Sequence, residues 1–472
     1  MASHQYPEEK KVSPDVDALD SDGASSIDAI TALVAEDHQH EIRLRTMSWQ
    51  KAAWLLAGDQ VSLAIMAQTW SLSVLGWVTG IITMVLAGAL FWITSITMDK
   101  FIMKHPQIKD ICDFAYIACK RSRVAYEFTG AMLLANNILL IGFHVLTGAK
   151  VLNGLSDHSL CTVVFSVIAI IIGIVMSLAR TLHHVSFMSM FSAFCMGLAI
   201  LLFLTFAGIE DAPLYGYGGN YPELGEVKTY AFPPAGTTWV AGMNAVLNIT
   251  YAVTYVLWIL FPTFIPEMEN PQDYPKALAV LAGISAFLFI VPPSTGFRYL
   301  GKYSTAPAFG SLGVVAYKKA AFAFVIVPIL VIGVIYANVT AKFIYFRVMG
   351  NSRHAHSNTF TGWGVWIALM GGIWLLAFVF AEAIPSMGDF LSLLGAAFDS
   401  FGFIYFAIAY YQLYKGRLFN GAGRSIMGVI HVFVLICGLF LLRPGLYTAV
   451  EAIIDDYSGG TKPAFSCANA AI

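Results

Sequence analysis

From Ser48 to Leu446 the chain alternates long apolar runs with short polar connections, and each run is long enough to cross a bilayer as a helix. About 20 apolar residues, rising about 1.5 Å each, cover a hydrocarbon core. Eleven runs meet that need: 48–74, 77–98, 125–149, 160–178, 186–208, 238–265, 277–297, 320–341, 362–384, 388–413 and 425–446. The ten-residue alternation of a membrane β-barrel is missing, so backbone groups in hydrocarbon must close their hydrogen bonds within helices. The pattern predicts an all-α polytopic membrane protein with eleven transmembrane helices. Around it the chain divides into a polar tail over 1–45, a membrane domain over 46–447 and a short extracytoplasmic tail over 448–472.

Composition narrows the class. Hydrophobic residues make up 58% of the 472 and charged residues 12%, which leaves no block for a soluble domain of comparable size. A net charge of −2 without a basic face excludes nucleic acid as a partner and leaves membrane lipid as the surroundings. With the N-terminus inside, nineteen of the 27 Lys and Arg residues fall on the inner side and eight on the outer. Inner loops retain such residues, so the N-terminus is expected to be cytoplasmic. Residues 1–45 are acidic and poor in apolar side chains, the composition of a disordered tail. No basic segment followed by a short apolar run and cleavage site precedes the first span, which is therefore expected to stay in the mature protein. The six cysteines form no close pairs; Cys161 and Cys467 both fall on the outer side, where pairing is open to them.

Three polar features interrupt the apolar runs. Asp59 lies near the middle of the first run, within Gly58-Asp59-Gln60-Val61-Ser62, and Asp399 lies inside the tenth. A carboxylate in hydrocarbon needs a polar cavity, a partner or a proton, so each is a candidate coupling site; the plainer reading is a hydrogen-bonded anchor or a charge facing a wet vestibule. His144 shares a helix face with Asn137, seven residues earlier, and reads either as a proton relay or as an interhelical hydrogen bond. Asn244, Asn248, Thr250, Tyr251 and Thr254 interrupt the sixth run. His183, His184, His354 and His356 sit near inner ends of runs and suit interfacial positions; no HExxH or repeated histidine box accompanies them, so no metal, cofactor or catalytic role is expected.

Five stretches carry a resemblance: Ser48-Trp49-Gln50-Lys51-Ala52; Gly142-Phe143-His144-Val145-Leu146-Thr147-Gly148; Cys161-Thr162 with Ala179-Arg180-Thr181-Leu182; Pro266-Glu267-Met268-Glu269-Asn270-Pro271-Gln272-Asp273; and Ala381-Glu382-Ala383-Ile384-Pro385. In order and spacing they resemble the amino acid/auxin permease family, and within it the fungal neutral amino acid permease branch. The resemblance implies a five-plus-five inverted repeat of the LeuT-like kind with broken first and sixth helices, and an eleventh helix outside the repeat. It further implies proton-coupled symport of neutral amino acids by alternating access, in the plasma membrane or, as an alternative, the vacuolar membrane.

In such folds the substrate lies at mid-bilayer where corresponding helices are interrupted. A half-helix N-terminus suits a carboxylate and the opposing carbonyl end an ammonium group. The expected substrate site is Gly58, Ser62, Leu63, Ala64, Asn248, Tyr251 and Thr254, with Asp59, Asp399 and His144 as proton-coupling candidates. The chain departs from the family at Asp59 (usually Glu), Ala64 (Gly), Thr69 (Pro) and Tyr255 (near a Gly), which implies a differently shaped pocket. Sodium coupling and a non-transporting sensor remain open beside proton symport.

Overall fold

The computed structural model describes residues 47–178, 182–211, 213, 226–259, 261–349, 352, 359–384, 386–418, 420–459 and 464–468, without the side chains of 182–187, 255–260 and 266–267. The tail expected over 1–45, His354, His356 and the side chains of His183, His184, Tyr255 and Glu267 lie outside that description.

The regular structure among the described residues is helical, with one isolated parallel bridge between Met47 and Met268. In chain order the helices are α1 (Trp49–Gln60), α2 (Ala64–Lys104), α3 (Ile111–Ala118), α4 (Arg123–Leu155), α5 (Thr162–Ser177), α6 (Leu182–Ile209), α7 (Trp239–Ile259), α8 (Phe261–Glu267) and α9 (Tyr274–Leu300). There follow α10 (Val315–Met349), α11 (Phe360–Ala383), α12 (Met387–Leu394), α13 (Ser400–Leu413), α14 (Ala422–Phe440) and α15 (Leu446–Ser458). Short π-helical turns, Gly395–Asp399 and Leu441–Gly445, join α12 to α13 and α14 to α15. Every apolar run read from the sequence lies on these helices. Among the described residues, eight helical stretches are long and apolar enough to cross a membrane by length and composition.

Helix α2 packs against α7 and α9, and α10 against α4 and α6, so the first run and the sixth meet at the centre of the bundle. Outward faces stay apolar: Ile82 and Val85 on α2, Phe194 and Leu201 on α6, and Val429, Val432 and Ile436 on α14 are exposed. Such a belt is unfavourable in water and neutral against lipid tails.

Helix α2 carries two runs. Its backbone leaves helical geometry at Gly76, with φ 75° and ψ 173°, and this separates the end of the first run from the second. Beside that corner, Trp77 and Val78 donate their backbone N–H groups to the carbonyls of Tyr230 and Ala231, each at 2.8 Å. A Cβ on residue 76 would stand 2.7 Å from the Phe232 backbone, so the corner needs glycine both for its positive φ and for this contact.

The last helical stretch outruns the sequence expectation. Instead of ending at 446, the chain passes Pro444 in a π turn and continues as α15 to Ser458. A π turn absorbs the amide that proline lacks, which lets the helix go on. Asn244 on α7 donates to the Thr448 carbonyl at 3.1 Å, holding α15 against the core. Beyond it, Cys467 is disulfide-bonded to Cys161, and Thr162 donates to the Ala468 carbonyl at 2.7 Å. The pairing left open by the sequence is therefore made.

Candidate functional site

Helix α1 ends at Gln60. Val61 closes it with its N–H on the Ala57 carbonyl at 2.9 Å and ψ of 75°, and Ser62 turns its N–H back to the Gln60 carbonyl at 2.9 Å. Helix α2 then starts at Ala64 without a side-chain cap. Asp59, Val61 and Ser62, within four residues, weaken helix propagation, since polar side chains compete for the backbone and Val restricts its own rotamers. The expected break in the first run is thus present at the expected residues. Ser62, Leu63 and Ala64 occupy the break and are buried. The Ser62 hydroxyl has no hydrogen-bond partner among the described residues.

The sixth run behaves differently. Helix α7 runs unbroken from Trp239 to Ile259, so Asn248, Tyr251 and Thr254 sit on continuous helix rather than at an unwound segment. The interruption expected among them is absent there. Helix α8 begins at Phe261, and residue 260 between the two lies outside the described residues. The polar side chains of α7 return to their own helix: Asn248 and Thr250 donate to the carbonyl four residues earlier, each at 2.9 Å, and the Thr254 hydroxyl lies 2.8 Å from the Thr250 carbonyl. Hydroxyl and amide groups satisfied in this way sit in a helix without unwinding it.

Two glutamines join the broken helix to α7. Gln60 donates to the Ala252 and Val253 carbonyls at 3.1 and 3.2 Å, and Gln68 to the Asn248 carbonyl at 3.2 Å. Asn248 reaches on to the Gly388 carbonyl at 3.1 Å and the Ser392 hydroxyl at 2.7 Å on α12. The α12–α13 connection approaches α7 closely. A Cβ on Gly395 would stand 2.9 Å from the Leu247 carbonyl oxygen.

Both embedded acids border this junction. Asp59 is buried, and the Tyr336 hydroxyl of α10 donates to its Oδ2 at 3.1 Å. Asp399 closes the π turn, also buried, and its Oδ2 accepts from Thr254 at 2.7 Å. A π turn shifts helix register by one residue, the device that aims Asp399 at α7. The buried Tyr251 lies between them in the packing: a Cβ on Gly395, in the π turn of Asp399, would stand 3.2 Å from the Tyr251 Cβ, and Gln60, next to Asp59, holds the carbonyls of Ala252 and Val253. Asp59, Tyr251 and Asp399, remote in sequence, therefore share one locality.

The other expected residues lie around it. Gly58 faces α6, where a Cβ would stand 3.0 Å from the Ser189 hydroxyl. Thr69 touches α9, both its Oγ1 and its Cγ2 lying 3.0 Å from where a Cβ on Gly296 would stand. His144 is buried on α4, edge-on to Phe143 and against Gly333 of α10, and its Nδ1 has no hydrogen-bond partner among the described residues. Sequence reasoning missed Tyr336 and Ser392 altogether and gave Gln60 no role. The polar character of Gln60 and Gln68 inside an apolar run was the available signal.

Comparison with known proteins places this geometry. A "Transmembrane transporter" of Gibberella moniliformis is 28% identical over 439 residues, covering 92% of this chain and 90% of that protein. The "N amino acid transport system protein" of Neurospora crassa is 26% identical over 438 residues, covering 92% and 91%. Among solved structures, Mhp1, a nucleobase-cation-symport-1 family transporter in a closed conformation with bromovinylhydantoin bound, aligns with TM-score 0.53 at 13% identity. That alignment covers 90% of this chain and 95% of Mhp1 and shows the LeuT-like fold. Residues 45–451 match the family described as transmembrane amino acid transporter protein, and the chain belongs to that family.

Proposed function

We propose that the protein is a secondary active transporter that moves a neutral amino acid together with H⁺ by alternating access. It crosses the plasma membrane eleven times with its N-terminus in the cytoplasm. The observation carrying the reading is the pair of buried carboxylates beside the break in the first run, Asp59 held by Tyr336 and Asp399 by Thr254. Peptide groups at the break offer a carbonyl end from α1 and an amide end from α2, a match for ammonium and carboxylate. Ser62, Asn248, Tyr251 and Thr254 add neutral polar surface, which favours a side chain without net charge.

The Thr254–Asp399 pair supports protons as the coupling ion. Thr254 Oγ1 lies 2.8 Å from the Thr250 carbonyl and 2.7 Å from Asp399 Oδ2, and one hydroxyl hydrogen serves only one of them. With Asp399 ionised, the hydroxyl turns to the carboxylate. With Asp399 protonated, the acid donates to Oγ1 and the hydroxyl turns to the carbonyl. Each protonation state has a satisfied arrangement, as a group that loads and releases a proton requires.

The test is uptake of a panel of radiolabelled amino acids into proteoliposomes under an inward pH gradient. Neutral amino acids should accumulate, and Asp59→Asn should abolish or uncouple uptake. Uptake that follows a sodium gradient and ignores pH would replace the proton with Na⁺. Saturable binding with no flux would make the protein a sensor.

A further inference from the structure

At the cation-rich end of the bundle, away from the Asp59 locality, a cavity of about 200 Å³ opens between α2, the end of α13 and the start of α14. Its floor is polar and internally satisfied. The His431 ring stacks on Tyr410 at 3.8 Å, with Nε2 2.8 Å from the Thr97 hydroxyl and Nδ1 2.8 Å from the Met427 carbonyl. Both ring nitrogens are used, so the histidine shapes the cavity without offering a free nitrogen to a ligand. The side open to the surroundings is apolar, formed by Trp92 and Met427, both more than a third exposed.

Two cations line the cavity, Lys100 near the end of α2 and Arg424 in the first turn of α14. Among the described residues neither closes a salt bridge, and the guanidinium of Arg424 rests over the Tyr414 ring at 5.7 Å. Asp99, next to Lys100 in the chain, offsets part of the lysine's charge without closing a salt bridge, and both cations are exposed. Arg424 also stands where the α14 dipole is already positive, an unfavourable place for a cation unless an anion sits nearby. An apolar opening toward lipid below two cations that close no salt bridge among the described residues has the layout of a phospholipid at its interface: acyl chains outside, glycerol in the cleft, phosphate between the charges.

We propose that this cleft is a binding site for one anionic phospholipid of the leaflet at the cation-rich face. Lys100 and Arg424 hold its phosphate and headgroup, and Trp92 and Met427 flank its chains. The cleft is distinct from the substrate site and the assignment does not depend on which substrate is carried.

Native mass spectrometry of the full chain, titrated with phosphatidylglycerol or phosphatidylcholine, tests it. The anionic lipid should bind about thirtyfold more tightly, the preference expected from two interfacial cations. Lys100→Gln with Arg424→Gln should erase that preference, whereas the charge-conserving Lys100→Arg with Arg424→Lys should keep it, which separates loss of binding from loss of fold. Lys415→Gln with Arg417→Gln, on the same face but outside the cleft, should leave it unchanged. Equal binding of the two lipids, or equal loss in the Lys415 and Arg417 variant, would overturn the site. Competition by free glycerol phosphate at lipid-like concentrations would overturn the lipid in favour of a soluble anion.

Discussion

Thr254 donates to Asp399 at 2.7 Å across the contact between α7 and the π turn, 145 residues away in sequence. The bond links the helix expected to line the substrate site to an acid at a register shift, so disturbing it should disturb coupling. Hydrogen bonds to charged groups contribute about 1.5–3 kcal/mol. Thr254→Val should therefore slow proton-driven uptake about tenfold or more, while Thr254→Ser keeps the hydroxyl and most of the rate. Initial rates over a range of external pH check this; identical profiles for Val and wild type would remove the pair from the mechanism.

Tyr336 holds Asp59 from α10, 277 residues away in sequence. Tyr336→Phe keeps the ring and deletes the donor, so uptake should fall about three- to tenfold with little change in folded yield. Measuring KM and maximal rate separately shows whether the bond matters for substrate binding or for turnover. A variant as active as wild type would leave Tyr336 a packing residue.

Gly76 is a strict backbone requirement outside the site. Gly76→Ala forces a side chain into positive φ and against the Phe232 backbone, at a cost of at least about 2 kcal/mol. Thermal unfolding in detergent should move down by several degrees, and Gly88→Ala, in open space on the same helix, should not lower it.

The bond between Cys161 and Cys467 predicts a peptide pair joined under non-reducing digestion and separated by reductant, read by mass spectrometry. Cys161→Ser should release Cys467 to alkylating reagents.

Much of this fold was legible because apolar length is a strong signal: each run of about 20 residues has one stable answer in hydrocarbon. Helix ends were less legible. Helix α4 begins at Arg123 and runs to Leu155, beyond the apolar run 125–149, because polar residues propagate a helix as readily outside the hydrocarbon as within it. The break after Gln60 could be read from Asp59, Val61 and Ser62. The same reasoning misplaced a break near Asn248, because side chains that bond back to their own helix look, in one dimension, like side chains that need an unwound backbone. Tyr336 and Ser392 were invisible for another reason: their partners lie 277 and 144 residues away, and only the packed helices bring them together.

The covalent tie between Cys161 and Cys467 carries a mechanical consequence. It joins the start of α5, in the first half of the chain, to the segment following α15, with the two Cα atoms 4.5 Å apart. Residues 467–468 are thereby fastened to the head of α5, by the sulfur bridge and by the Thr162 bond to the Ala468 carbonyl, and they travel with that helix end wherever it goes.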